Sequence, residues 1–356
     1  MEFKVQKQLI ESILINLQPF LEKKDATQIT SHIHFKIDSN LSTIKATDGE
    51  IGLSVTTNNI NVISDGEFTA NGKKLLDIVR ILKDGEIEFT LKDSNLEIKQ
   101  LHSKFKLPIF DPKEYPPFPN TDNKPKISLD SNLLIKNFKK VTPAIDTNNP
   151  KYELNGALIN IQSDKTDIVA TDTRRLAIAT INNSSDKELE LIVPKKAILE
   201  IQKLFLDEIE IFYDDTILMI QGQNMLFFTR LINGKFPDYI KIIPQNPKFE
   251  LTLPKKEMVD SIKMVTTISS DIKITFTPNM IIFNSLSADN IEAKTEIELE
   301  TGVDEALELS LNSRYLLDFL SHIESESFYM GINGSTLPFL VKDKDEFITV
   351  IMPIIV

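Results

Sequence analysis

The 356-residue chain contains no cysteine. Disulfides, thiolate metal sites and cysteine nucleophiles are thereby excluded, and the expected compartment is a reducing cytoplasm. Glycine is scarce, at 11 residues, and neither GxGxxG nor GxxxxGKS/T occurs, so no glycine-rich phosphate loop is expected. No GxSxG nucleophile turn is present. No apolar run reaches 18 residues, so no membrane-spanning helix is expected. The stretch Met1 to Ile10 carries Glu2, Lys4 and Lys7 and lacks the apolar segment of a secretory leader. The four histidines are His32, His34, His102 and His322. His32 and His34 share one strand face, but no spaced partners complete a ligand set, so structural roles are expected, with no metal and no cofactor. Asp214 and Asp215 pair carboxylates in a hairpin-like turn, where aspartate is common for conformational reasons. Nothing in this inventory argues for catalysis.

Repetition is what the chain does have. Its length suits two or three domains, and 41% hydrophobic with 26% charged residues describes a globular protein. Ala46-Thr47-Asp48 returns as Ala170-Thr171-Asp172, each after a strand-like stretch. An amphipathic stretch opens each third: KVQKQLIESILINL from Lys4, DSNLLIKNFKKV from Asp130 and PKKEMVDSIKMV from Pro254. Leu9, Ile13 and Leu17 form one helical stripe, and Asp130 and Pro254 suit helix starts. A second helix-like stretch follows midway: NGKKLLDIVRIL from Asn71, PKKAILEIQKLF from Pro194 and NSRYLLDFLSHI from Asn312. Strand-like runs close each third, beginning at Gly85, Asp207 and Glu326. Each third therefore reads as helix, strands, helix, strands, with boundaries in the polar, proline-containing stretches 121–126 and 245–250.

The charge is segregated on this plan. The net charge of −12 argues against a globally basic, nucleic-acid-binding surface. Yet the six helix-like windows together carry +9, which leaves −21 on the remainder. Helices gathered on one surface would attract phosphate while the other surfaces repel it. Arginine is limited to Arg80, Arg174, Arg175, Arg230 and Arg314. The Arg174-Arg175 pair in the turn-like TDTRR suits either loop pinning by salt bridges or a recognition site.

Four segments, KYELNGALINI, IVATDTRRLAIA, LINGKFPDYIKIIPQN and the terminal ITVIMPIIV, resemble the bacterial β sliding clamp, the β subunit of DNA polymerase III. The match is most specific over about 151–246; the repeat and the terminal motif extend it across the chain. The resemblance implies an α+β fold of three similar domains, 1–122, 123–247 and 248–356, each with two helices packed on antiparallel sheets. It further implies two chains joined head to tail in a closed ring that encircles duplex DNA, helices inside, and tethers the replicative polymerase without catalysis. Partners so implied are a second copy, double-stranded DNA without sequence preference, the polymerase catalytic subunit, the clamp loader and other clamp-motif proteins, with no membrane.

Carried over motif by motif, the partner-peptide pocket comprises Lys151, Leu154, Thr171, Thr173, Arg174, Arg175, Leu176, Pro237, Lys241, Ile242, Asn312, Tyr315, Val350, Ile351, Met352 and Pro353. Leu154, Leu176, Ile242 and Met352 suit apolar anchors, methionine adapting to varied ligands. Expected to face DNA are Lys73, Lys74, Arg80, Lys195, Lys196, Lys203 and Arg314, with Lys23, Lys24 and Tyr152 at the rim. In KFKL, Phe105 and Leu107 alternate on one strand face and by resemblance meet Ile268 of the other chain. The family commonly has glycine where Thr173 stands and Arg-Leu where Ile355-Val356 stand, which bears on motif preference. The third domain lacks the Ala-Thr-Asp signature, and its SSDIKITF is short relative to the family, so no pocket residue is carried over there. Two rivals are a three-domain adaptor that binds proteins but not DNA, disfavoured by the helix charge, and an enzyme using paired carboxylates, disfavoured by the absence of a cleft signature.

Overall fold

Phe3 and Val5 alternate with polar neighbours in a strand that pairs with distant segments, and the helix starts only at Lys7. In the computed structural model, which describes residues 1–25, 27–206, 208–287 and 291–355, the same order recurs three times. Asp207, which opens the second closing run, and Val356, half of the atypical ending, lie outside the described residues.

The first third runs β1 (Glu2–Gln6), α1 (Lys7–Leu17), β2 (His32–Ile37), β3 (Ser42–Thr47), β4 (Ile51–Thr57), β5 (Asn61–Ser64), β6 (Gly66–Asn71), α2 (Gly72–Ile81), β7 (Glu86–Lys92), β8 (Asn95–Gln100) and β9 (Ser103–Pro108). The second runs β10 (Lys126–Ile127), α3 (Ser131–Val141), β11 (Gly156–Ile161), β12 (Lys165–Thr171), β13 (Arg175–Asn182), β14 (Leu189–Pro194), α4 (Lys195–Leu204), β15 (Glu210–Tyr213), β16 (Ile217–Gln221) and β17 (Met225–Arg230). The third runs β18 (Phe249–Pro254), α5 (Lys255–Thr266), β19 (Asp271–Thr277), β20 (Met280–Ser285), β21 (Lys294–Glu298), β22 (Leu307–Asn312), α6 (Ser313–Leu320), β23 (Ser327–Ile332), β24 (Phe339–Asp343) and β25 (Phe347–Ile351). The fold is α+β, and every ladder among the described residues is antiparallel.

Two features correct the sequence reading. Each third opens on a strand, not on its helix. The buried helix stripe includes Ile10 and Leu14 besides Ile13 and Leu17, while Leu9 is only half-buried. The repeat also extends to single hydrogen bonds. Lys7 and Lys255 both begin their helices, and each side-chain ammonium donates to a carbonyl just beyond the following helix, Leu82 O and Ile323 O. Lys7 also reaches Arg80 O, in the last turn of α2, where carbonyls lack a helical partner.

The described residues divide into two compact units, Met1–Ser131 with Lys203–Leu231, and Asn132–Gln202 with Ile232–Val356. The first holds a five-stranded sheet, β5-β1-β7-β8-β9, and an eight-stranded sheet, β10-β15-β16-β17-β4-β3-β2-β6, joined across its middle by the β17–β4 ladder. Its core stacks phenylalanines: Phe3 on Phe89 at 4.8 Å between ring centroids and Phe35 on Phe68 at 4.5 Å. Burying each such side chain contributes about 1.5–3 kcal/mol. Helix α1 packs on α2, whose Leu75, Leu76 and Val79 face inward. The second unit holds the eight-stranded sheet β14-β11-β12-β13-β25-β24-β23-β18, joined by β13–β25, and the four-stranded sheet β21-β20-β19-β22. Helix α5 packs on α6 and on β20 and β21. His32 and His34 are buried, His32 stacked on Phe110 at 4.3 Å, a structural placement as expected.

Candidate functional site

The turn between β12 and β13 is built by its own side chains. Asp172 Oδ1 accepts from the backbone of Arg174 and Arg175, and Thr171 Oγ1 donates to Arg175 O while accepting from Thr173 N. The equivalent turn in the first third, Thr47 to Ile51, makes the same four bonds through Thr47 and Asp48. That shared network is why Ala-Thr-Asp recurs. The turn needs one left-handed residue: Gly49 fills the place at φ +92, and Thr173 at φ +72. A β-branched residue there is strained by about 1–2 kcal/mol. The strain sits on the rim of a cavity.

That cavity, of about 250 Å³, is lined by Lys151, Leu154, Thr171, Thr173, Arg175, Leu176, Pro237, Ile242, Val350 and Met352. Strands β13 and β25 supply its floor because Leu176 pairs directly with Val350 and both side chains point to the same face. Beneath lies a cluster of Leu154, Leu158, Val169, Leu176, Ile178, Phe236, Tyr239 and Val350. Ile242 and Met352 remain 43% exposed each, so the mouth is apolar and open. A cavity of this size and lining has room for two or three apolar side chains.

The sixteen expected pocket residues fall into two groups. Ten line the cavity; Arg174, Lys241, Asn312, Tyr315, Ile351 and Pro353 do not. Ile351 is fully buried, alternation having turned it to the opposite face from Val350. Lys241 is exposed and paired to Asp238 at 2.8 Å, which holds its ammonium above the usual range. Asn312 caps α6 by accepting from Arg314 N and donates to Asp271. Tyr315 lies under the Arg175 guanidinium at 4.5 Å.

Arg175 is 7% exposed. Its Nε donates to Asp172 Oδ2 at 3.1 Å, Nη1 to Asp318 Oδ2 at 2.6 Å and Nη2 to Pro143 O. A planar, permanently charged fork suits this set of acceptors in a way lysine does not. Loop pinning by ion pairs is thus what the geometry of TDTRR shows, and Arg175 also lines the cavity.

The basic residues follow the repeat. Lys73, Lys196 and Arg314 each occupy the second position of the second helix, and Arg80 and Lys203 lie seven residues on, along the same face. All five are exposed, opposite the buried stripes. Lys74, Lys23, Lys24 and Tyr152 are exposed too. Lys195 differs: half-buried, its ammonium donates to Ile145 O and Thr147 Oγ1, and burial lowers its pKa. At the remaining expected positions, Phe105 is half-buried, Leu107 is 7% exposed and Ile268, just past α5, is 39% exposed. Among the described residues no cluster of histidine, aspartate and glutamate is arranged for a metal, and no helix is long and apolar enough to cross a membrane.

Family models match throughout: the N-terminal domain of the DNA polymerase III beta subunit at residues 1–119, its central domain at 128–238 and its C-terminal domain at 240–355. A beta sliding clamp of Helicobacter pylori is 37% identical over 352 residues, covering 96% of this chain and 94% of that protein. One from Chlamydia muridarum is 25% identical, covering 99% and 98%. The crystal structure of the Helicobacter pylori beta clamp bound to a DNA ligase peptide superposes with a TM-score of 0.94 at 38% identity, each chain fully covered. The Pseudomonas aeruginosa beta subunit shares the fold, with a TM-score of 0.91 at 22% identity. The three repeats thus define a clamp fold. The chain belongs to the family of DNA polymerase III beta subunits, the beta sliding clamps.

Proposed function

We propose that the chain acts as a processivity factor without catalysis, in the cytoplasm. Two copies close head to tail around duplex DNA, and the cavity of Leu176, Val350 and Met352 holds short peptide motifs of the replicative polymerase, the clamp loader and other partners. The domain division 1–122, 123–247 and 248–356 belongs to this reading, and the three matched family domains support it. The relative whose structure holds a DNA ligase peptide supports peptide capture.

The observation that carries ring closure is internal. Within the chain, a closing strand of one third twice pairs with an early strand of another: β17 with β4, Leu226 facing Ser54, and β25 with β13, Ile348 facing Ile178. In both, the hairpin carbonyl two residues earlier, Asn224 O or Glu346 O, accepts from the neighbour at 2.9 Å. The equivalent strands left as sheet edges are β9 and β21. Unpaired edges of this kind invite another chain. Counting through the ladders from the residues that precede the second helices, Asn71, Pro194 and Asn312, sets Lys104 opposite Lys294, Phe105 opposite Ala293 and Lys106 opposite Glu292 of a second copy. Likewise Phe20 packs on Phe227 at 6.0 Å, and their equivalents are Ile268 and Phe105. The repeat therefore supports the same contact that the family resemblance implies. Each copy offers one of each edge, as a closed head-to-tail ring requires.

Lys73, Arg80, Lys196, Lys203 and Arg314 contact phosphates, not base edges, in this reading, which permits sliding over any sequence. The test is retention on DNA. Protein loaded on nicked circular plasmid should stay bound through gel filtration in moderate salt and be lost when the plasmid is linearised. Equal retention on both forms would refute encirclement.

A further inference from the structure

Four of the 11 glycines follow asparagine: Asn71-Gly72, Asn155-Gly156, Asn233-Gly234 and Asn333-Gly334. Asparagine before glycine is the pair most open to intramolecular ring closure, because glycine has no Cβ to keep its backbone nitrogen from the preceding side chain. The four differ in how tightly they are held. Asn71 caps α2, its side-chain oxygen accepting from Lys74 N, and Gly72 is buried in the helix. Asn155 makes two side-chain bonds to the backbone of Asn149, at 2.7 and 2.9 Å, and Gly156 lies in the β11–β14 ladder. Asn333 accepts from Lys248 N at 2.9 Å. Asn233 and Gly234 are exposed, lie outside any helix or strand, and among the described residues no hydrogen bond holds the Asn233 amide.

We infer that Asn233 is a site of spontaneous deamidation and isoaspartate formation that ages the partner cavity. The Gly234 nitrogen attacks Asn233 Cγ. The new N–Cγ bond closes a succinimide while the Cγ–Nδ2 bond breaks, and the amide leaves as ammonia with the proton lost from Gly234. Water then opens the ring at either carbonyl, giving aspartate or isoaspartate; no oxidant or other co-reactant is needed. The position gives the change a consequence. Ile232 N is anchored to Ile192 O, and four residues later Phe236 is buried in the cluster beneath the cavity, with Pro237 on its wall. Isoaspartate inserts one extra carbon into the main chain between these anchors. It also adds a carboxylate at position 233, beside Gly234, where the space a Cβ would take already lies 3.6 Å from Glu153 Cβ. The segment must bow outward, and Pro237 moves with it.

The effect on binding rests on the peptide-pocket reading, whereas the chemistry does not. The full-length dimer is aged in mildly alkaline buffer and mapped by peptide mass spectrometry, with isoaspartyl residues detected enzymatically. Asn233 should convert several-fold faster than Asn71, Asn155 and Asn333. Fresh and aged protein are then titrated with a fluorescent Gln-Leu-Ser-Leu-Phe peptide, beside Asn233→Gln treated identically. Aged wild type should bind several-fold more weakly, and aged Asn233→Gln should match its fresh form. Conversion at another asparagine first, or at none, overturns the modification site. Conversion at Asn233 with unchanged peptide affinity overturns its consequence. Failure of fresh protein to bind the peptide is a separate result that counts against the pocket alone.

Discussion

Ile268→Asp tests the ring contact most directly. Leu107 is 7% exposed and already part of its own core, so a charge there endangers folding; Ile268 is 39% exposed and does not carry that risk. In the proposed contact the isoleucine meets Phe105 of the other copy, as Phe20 meets Phe227 within the chain. Completing its burial contributes on the order of 1 kcal/mol. An aspartate in its place also leaves an unpaired polar group in an apolar contact, at a cost of about 1–3 kcal/mol. The loss is therefore ~2–4 kcal/mol per contact, and a ring has two, so dimerisation should weaken by roughly three to six orders of magnitude. Sedimentation velocity at micromolar concentration should show folded monomer of half the wild-type mass, with unchanged circular dichroism. A variant that remains dimeric at that concentration would refute both the contact and the register drawn from the repeat.

Four further outcomes are expected. The chain has no cysteine, so Lys104→Cys with Lys294→Cys introduces one unambiguous pair, and oxidation should give a covalent dimer on denaturing gels, whereas Lys104→Cys with Thr295→Cys, one residue out of register, should cross-link poorly. Arg175→Lys should lower stability by about 1–3 kcal/mol, read as a shifted denaturant midpoint, because Asp172, Asp318 and Pro143 lose a fork that lysine cannot replace, while peptide affinity falls as the turn loosens. Removal of residues 352–356 should abolish peptide binding and leave the dimer intact, checked by fluorescence anisotropy and solution mass. Burial pushes His32 and His34 down to about 4, below their unfolded value, so their contribution is full above about pH 6.5 and fades as pH falls toward 4, by ~1–2 kcal/mol per ring after allowance for solvent; urea melts of His34→Gln should show a shallower loss over that window than wild type.

The helices were legible because their apolar residues recur at helical spacing and their starts carry Asn71, Pro194, Pro254 and Asn312. The opening strands were not: β1 is five residues long and β10 only two. In so short a run, Val5 continues the i, i+4 stripe of Leu9, Ile13 and Leu17 as well as it fits a strand. What makes β1 a strand is pairing with β5 and β7, more than 50 residues away in sequence, and no local window contains that. The second third offered a different obstacle. Its strands divide between two eight-stranded sheets, with β15 to β17 in one and β11 to β14 in the other. A repeat in sequence is therefore not a compact unit in the fold, and no polar, proline-containing stretch signals that division.

For the site, the sequence carried residue identity but not orientation. Val350 and Ile351 are adjacent and equally apolar, yet one lines the cavity and the other faces away, and only the β13–β25 register decides which. Arg175 shows the same limit in a charged residue. Its neighbours in sequence place it in a turn, but its acceptors Pro143 and Asp318 come from 32 and 143 residues away. Thr173 is the converse case, where a local anomaly is informative by itself. The first third has Gly49 in the same left-handed place with the same four hydrogen bonds, so the chain carries its own reference for what that turn prefers. Threonine stands there against a backbone cost, and it lines the rim of the cavity proposed to hold the peptide. Thr173→Gly should relieve the strain without disturbing Asp172 or Arg175. Stability should therefore change by less than about 1 kcal/mol, the relief being offset by the freer unfolded chain. Peptide affinity should shift instead, because the rim loses the Thr173 side chain while Thr171 stays in place. A Thr173→Gly variant with lower stability and unaltered affinity for the same fluorescent peptide would show that the side chain serves the fold and not the partner.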